Sequence, residues 1–77
     1  MSLGNAVTDE VRRRMRARRM SQNELARAVG MPATLIHRAM KRQRLLSLDE
    51  LEQIAGVLGV TPETLIRQAR KASPPSG

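Results

Sequence analysis

Thr34, His37, Arg38 and Lys41 follow one another at steps of three, one and three residues. On a helix turning about 100° per residue this gathers them within roughly 100° of arc. A hydroxyl, an imidazole, a guanidinium and an ammonium on one stripe form a row of hydrogen-bonding groups. The stripe's histidine is the only one in the chain and lacks the partners of a catalytic triad or of a two-histidine metal site. Pro32, Leu35, Ile36 and Ala39 fall on the opposite side, with Met40 at its edge and Ala33 at the boundary. The pattern is that of an anchored helix displaying polar reach.

Helix punctuation shows what must position that stripe. Ser21 with Glu24 and Ser47 with Glu50 each make an S-x-x-E capping box, and Thr61 before Pro62 is a third helix start. Gly30 and Gly59 fall just past apolar runs, where a left-handed residue ends a helix. These signals predict helices near residues 6–18, 22–29, 32–41, 48–58 and 62–71, a loop over 42–46, and no strand. Residues 1–5 are expected to be loose, and 72–77, rich in Pro and Ser, to form a disordered tail or linker stub.

The second and third helices are short, are joined through Gly30 and Met31, and end in the polar stripe, which describes a helix-turn-helix. In such a unit the second helix enters the major groove, where base edges carry a full donor and acceptor code. Arg38 is then placed to donate two parallel bonds to guanine, or else to clamp a phosphate. Thr34 offers a hydroxyl or a thymine-methyl contact against the plainer role of an exposed helical residue. His37 reads as a groove contact, and Ala33 as a methyl contact or a filler at the groove edge. The N–H groups at Ser21, Gln22 and Asn23 carry the positive end of a helix dipole and suit a phosphate oxygen.

Composition narrows the partner. The 77 residues contain no Cys, Trp, Tyr or Phe, which excludes disulfides, thiolate metal sites and the aromatic platforms on which single-stranded nucleic acids stack. The formal net charge is +7, and a polyanion is the natural partner. Six arginines against Asp9 and Glu10 leave residues 1–20 at +4; Arg27, Arg38, Lys41, Arg42 and Arg44 against Glu24 leave residues 21–46 at +4; residues 47–77 are at −1. All the excess therefore lies in the first 46 residues. The six arginines between positions 12 and 19 cover most of a helix, so some face a backbone and others water; Arg12, Arg16 and Arg19, with Lys41, Arg42 and Arg44, are the candidate phosphate contacts. No run of about 18 apolar residues is present, and a cytoplasmic protein is expected.

The segment MSQNELARAVGMPATLIHR at 20–38, followed by SLDEL at 47–51 and LGVTPE at 58–63, resembles the phage repressor and Cro type of helix-turn-helix domain, from about Met20 to Leu65. That resemblance implies a five-helix all-α fold that binds double-stranded DNA, usually as a dimer on near-palindromic operators. It implies base contacts from Ala33, Thr34, His37 and Arg38, and a Gln22 that touches phosphate and buttresses the reading helix. It places a homodimer contact at helix 5, with Leu65 and Ile66, and adjacent apolar surface. Lys41-Arg42 stands where the family often has Asn-Gly, so the third helix is expected to run longer or to end without a left-handed glycine. Leu45 and Leu46 replace a polar-then-Pro pattern and read as core or as an exposed partner patch.

The expectation is a DNA-binding transcription regulator of a bacterial cell or phage-infected host, with no cofactor and no catalytic residue. Two alternatives stand beside it. One is an RNA or nonspecific nucleic-acid binder using the Arg-rich first helix; the other is a protein-interaction module of the antitoxin type using Leu45, Leu46 and helix 5.

Overall fold

Four of the five helices begin at a side-chain oxygen that takes up an orphan backbone N–H. The computed structural model describes residues 2–72, as α1 (Leu3–Ala17), α2 (Gln22–Val29), α3 (Ala33–Met40), α4 (Leu48–Leu58) and α5 (Pro62–Ala72), with no strand among the described residues. Both expected capping boxes form: Ser21 Oγ accepts from the Glu24 N–H at 3.0 Å while Glu24 accepts from the Ser21 N–H at 3.1 Å, and Ser47 with Glu50 repeats the exchange at 3.1 and 2.8 Å. Thr61 Oγ1 accepts from the Thr64 N–H at 3.1 Å.

α1 starts earlier than the sequence predicts. Ser2 Oγ accepts from the Asn5 N–H at 3.0 Å, so residues 3–5 are helical rather than loose. Asn5 stands where a capping box would need Glu or Gln, which is why this start carries no sequence signal. Of the expected tail, Ala72 closes α5 and residues 73–77 lie outside the described residues.

The first four helices stop in one way. The residue after the cap, or the cap itself, is left-handed, its N–H bonds three residues back, and the next N–H bonds five residues back. Gly30 (φ 72°) and Gly59 (φ 74°) do this for α2 and α4, as predicted. Arg19 (φ 54°) and Arg42 (φ 62°) do it for α1 and α3. α3 therefore ends at Met40 through a left-handed arginine, closed by Gln43 N–H to Arg38 O at 2.8 Å. A side chain in that conformation costs about 1–2 kcal/mol relative to glycine.

The core is aliphatic: Val11, Met15, Leu25, Ile36, Ile54, Leu58 and Leu65 are all buried, and α1 packs along α5 while touching α3 and α4. α2 packs on α3 and α4. Val29, Val57 and Ile66 are half-buried against this core, and Leu35 is half-buried on α3. Leu48, which shares the apolar period of Leu51, Ile54, Ala55 and Leu58 and on that pattern belongs to the core, is instead 79% exposed. It occupies the first position of α4, at the mouth of an apolar groove that Leu3, Val7, Leu46, Leu51 and Ile66 line without closing. Leu45 joins this patch, so close to Gly4 that a Cβ there would stand 2.9 Å from Leu45 Cδ2. None of the described helices is long and apolar enough to cross a membrane.

The capping boxes make stability depend on acid. The Ser21 backbone N–H, with the Ser21 hydroxyl and Arg27 behind it, holds the Glu24 carboxyl below the ordinary range. The Ser47 N–H and then Arg44 do the same for Glu50 against its partial burial. A carboxyl whose pKa is lower folded than unfolded contributes its stability above the unfolded value, about 4.3, and loses it as pH falls through the folded value. The melting temperature should therefore fall as pH drops below about 4.3, and Glu50→Gln, which keeps an acceptor for Ser47 but no charge, should flatten part of that fall. A thermal melt series from pH 6 to 2.5 checks this; parallel profiles for the two proteins would rule it out.

Candidate nucleic-acid interface

α2, the turn at Gly30–Pro32 and α3 form a helix-turn-helix, and α3 sorts its side chains as its wheel requires. Ile36, Ala39 and Met40 are buried against the core, while Thr34 and Arg38 on the other side are exposed and Lys41 is exposed just past the helix end. Ala33 and His37 are half-buried at the flanks of the stripe. All four candidate base-reading residues thus lie on α3, two presented openly and two at its edges.

The N-terminal end of α3 is held by little that is directional. Its cap is Pro32, with no side-chain bond, and Leu35 N–H reaches only the Pro32 carbonyl at 3.1 Å. Gln22 is half-buried, and its amide makes no hydrogen bond to α3. At the start of α2, Ser21 and Glu24 are occupied by their capping box. The N–H groups of Gln22 and Asn23, in the first turn, have no intrahelical carbonyl to bond, so they remain for an anion.

The basic residues divide into those with partners inside the fold and those without. Arg42 pairs with Asp9 at 2.6 Å, and Arg44 donates to both carboxylate oxygens of Glu50 at 3.1 Å. The Arg12 guanidinium donates to the Met40 carbonyl oxygen at the end of α3. Arg16, Arg19, Arg38 and Lys41 are exposed and make no ion pair among the described residues. The structure therefore brings Arg12 and Arg42 to the C-terminal end of α3 and ties Arg44 to α4, while Arg16 and Arg19 project from the far end of α1 beside the start of α2.

Two polar features were missed by sequence reasoning. Glu10 is only 4% exposed and accepts from Arg13 at 2.6 Å and Arg14 at 3.0 Å, which gives two more arginines a partner inside the fold. Its spacing of three and four residues from those arginines is the signal that points to it. Asp9, 33 residues from Arg42 in the chain, has no local signal at all.

A family model described as the Cro/C1-type HTH DNA-binding domain matches residues 10–68. Comparison with curated proteins and with solved structures gives no match. The matched span runs from Glu10 through most of α5 and contains the whole helix-turn-helix, the polar stripe of α3 and both capping boxes. The chain therefore belongs to the Cro/C1-type helix-turn-helix DNA-binding domain family.

Proposed function

We propose that this chain is a sequence-specific transcription regulator of the repressor or Cro-like kind, which lays α3 in the major groove of an operator. The observation that carries this reading is the exposed Thr34 and Arg38 pair set opposite a buried Ile36, Ala39 and Met40 face on the second helix of the motif. Thr34 and Arg38, flanked by Ala33 and His37, meet base edges. Gln22 and Asn23, at the positive end of α2, take one phosphate, while Ser21 holds its capping box with Glu24. Arg16, Arg19, Lys41 and Arg42 take others; Arg42 keeps donors beyond the one Asp9 uses. Arg12 and Arg44, half-buried and bonded within the fold, are structural in this reading.

Selection from a randomised duplex library at about 0.15 M salt tests it, because surface electrostatics alone are screened within about 8 Å there. One enriched motif is expected, with log affinity falling by about 0.9 per neutralised phosphate against log salt. Retained binding without enrichment would refute operator reading. Binding through an Arg-rich α1 alone is disfavoured, since Arg12 and Arg14 are half-buried and bonded inside the fold.

The protein pairs with a second copy of itself through α5 and the adjoining apolar surface. Leu3, Leu45 and Leu48, at 41, 55 and 79% exposure, are the exposed large hydrophobics among the described residues; Leu3 and Leu48 line the groove to which α5 contributes Ile66, and Leu45 packs beside Gly4 of the same groove. A two-fold pair sets half-sites about 34–36 Å apart. Leu48→Lys should convert the dimer to monomer in sedimentation equilibrium while leaving stability within about 0.5 kcal/mol, since so exposed a side chain contributes little to the core. An unchanged mass would exclude this surface.

A further inference from the structure

We propose that Arg12 and Asp9 of α1 form a polar clamp that sets the angle at which α3 is presented, so that they are positioning residues for sequence reading and not DNA contacts. The proposal rests on the reading of α3 as the helix that enters the groove. α3 is eight residues, about 12 Å long. Its inner face consists of Ile36, Ala39 and Met40, and apolar burial holds depth without fixing direction. Its N-terminal end has neither a side-chain cap nor a bond from Gln22.

Direction is supplied at the other end. Arg12, 28 residues away in sequence, donates to the carbonyl of Met40, one of the last carbonyls of α3 and at the negative end of its dipole. Asp9 lies three residues before Arg12, on the same side of α1, and grips Arg42 at 2.6 Å. Arg42 is the left-handed residue of the turn that closes α3, and the next N–H, of Gln43, bonds to the carbonyl of Arg38 itself at 2.8 Å. Two charge-assisted bonds from neighbouring positions on one helix thus hold the final carbonyl of α3 and the turn beyond it, and the turn is bonded to the backbone of the principal base-reading residue.

A set of reading groups tolerates only about 0.5 Å or 10–20° of misplacement, so a loosened end costs the preferred duplex more than any other. Asp9 supplies the decisive sign. A carboxylate on a surface that attracts phosphate weakens that attraction, and removing it should by electrostatics alone tighten binding to every duplex.

The experiment measures affinities of wild type, Arg12→Met, Arg12→Lys and Asp9→Asn for the library-selected duplex and for an unrelated duplex, each across a salt series. The clamp predicts that Arg12→Met and Asp9→Asn lower the ratio of selected to unrelated affinity by on the order of tenfold. It predicts an unchanged salt slope for Arg12→Met, recovery of the ratio in Arg12→Lys, and tighter binding of Asp9→Asn to unrelated DNA. If Arg12 were a phosphate contact, Arg12→Met would weaken both duplexes alike and lower the slope by about 0.9; that result overturns the proposal. Amide exchange in the free protein gives a reading independent of DNA: the Arg42 and Gln43 N–H groups should exchange faster in both variants than in wild type, relative to Ile54 in the core. Unchanged exchange at those two amides also overturns it. Should wild type enrich no motif, operator reading fails while the exchange arm still judges the clamp, and Asp9→Asn stands in if Arg12→Met does not fold.

Discussion

Replacing Ile36 with alanine is expected to lower the unfolding free energy by roughly 2–5 kcal/mol, the range for removing a buried aliphatic side chain and leaving a cavity. Ile36 has no exposed surface and lies on the inner face of α3. In a chain of 77 residues, total stability at about 0.05–0.15 kcal/mol per residue leaves little in reserve. Each kcal/mol shifts the melting temperature of so small a domain by about 4–8 °C, so the variant should melt at least about 8 °C lower. Ile36→Val, which removes one methylene, should cost only about 0.5–1.5 kcal/mol, and the pair together separates packing from a general intolerance of change. Circular dichroism in urea is the measurement, since there is no tryptophan to follow by fluorescence. A loss below about 0.5 kcal/mol for Ile36→Ala would mean that α3 is not held by its inner face.

What could be read ahead of the structure was local. The limits of α2 and α4 were legible because Ser21, Glu24, Gly30, Ser47, Glu50 and Gly59 make their caps within a few residues of sequence. The stripe of α3 was legible because helical period alone separates Thr34 and Arg38 from Ile36 and Ala39. What escaped was decided at longer range or against propensity. Arg19 and Arg42 take left-handed backbone conformations that glycine would adopt at lower cost, and nothing in their type announces it. Leu48 matches the apolar period of α4 but stands where no other element covers it, so periodicity assigned it to the core and packing did not. The sequence reading placed Arg12 and Arg44 on phosphates by charge alone, whereas each finds an acceptor in another segment, the Met40 carbonyl for one and Glu50 for the other. Charge can be counted from sequence, but which charges are already neutralised depends on the folded arrangement.

Arg38→Ala should be the most damaging single change to recognition, weakening the preferred duplex by about 1–3 kcal/mol, or about 5- to 150-fold. The side chain is exposed on the last turn of α3 and makes no ion pair among the described residues, so nothing within the fold must be broken for it to reach a base. A guanidinium offers a planar fork that matches guanine O6 and N7, which an ammonium does not. Arg38→Lys therefore keeps the charge and loses the fork. If Arg38 reads a base, both variants should lose preference at one base-pair position, and an unrelated duplex should be nearly unaffected by Arg38→Lys. If it clamps a phosphate, Arg38→Lys should bind almost as wild type does, and Arg38→Ala should weaken every sequence alike with a salt slope lower by about 0.9. Stability should move by no more than about 0.5 kcal/mol in either variant, because the bond that closes α3 uses the carbonyl of residue 38 and not its side chain. Competition binding with single-position variants of the selected duplex separates the two roles, since only a base contact loses its effect when one particular base pair is changed.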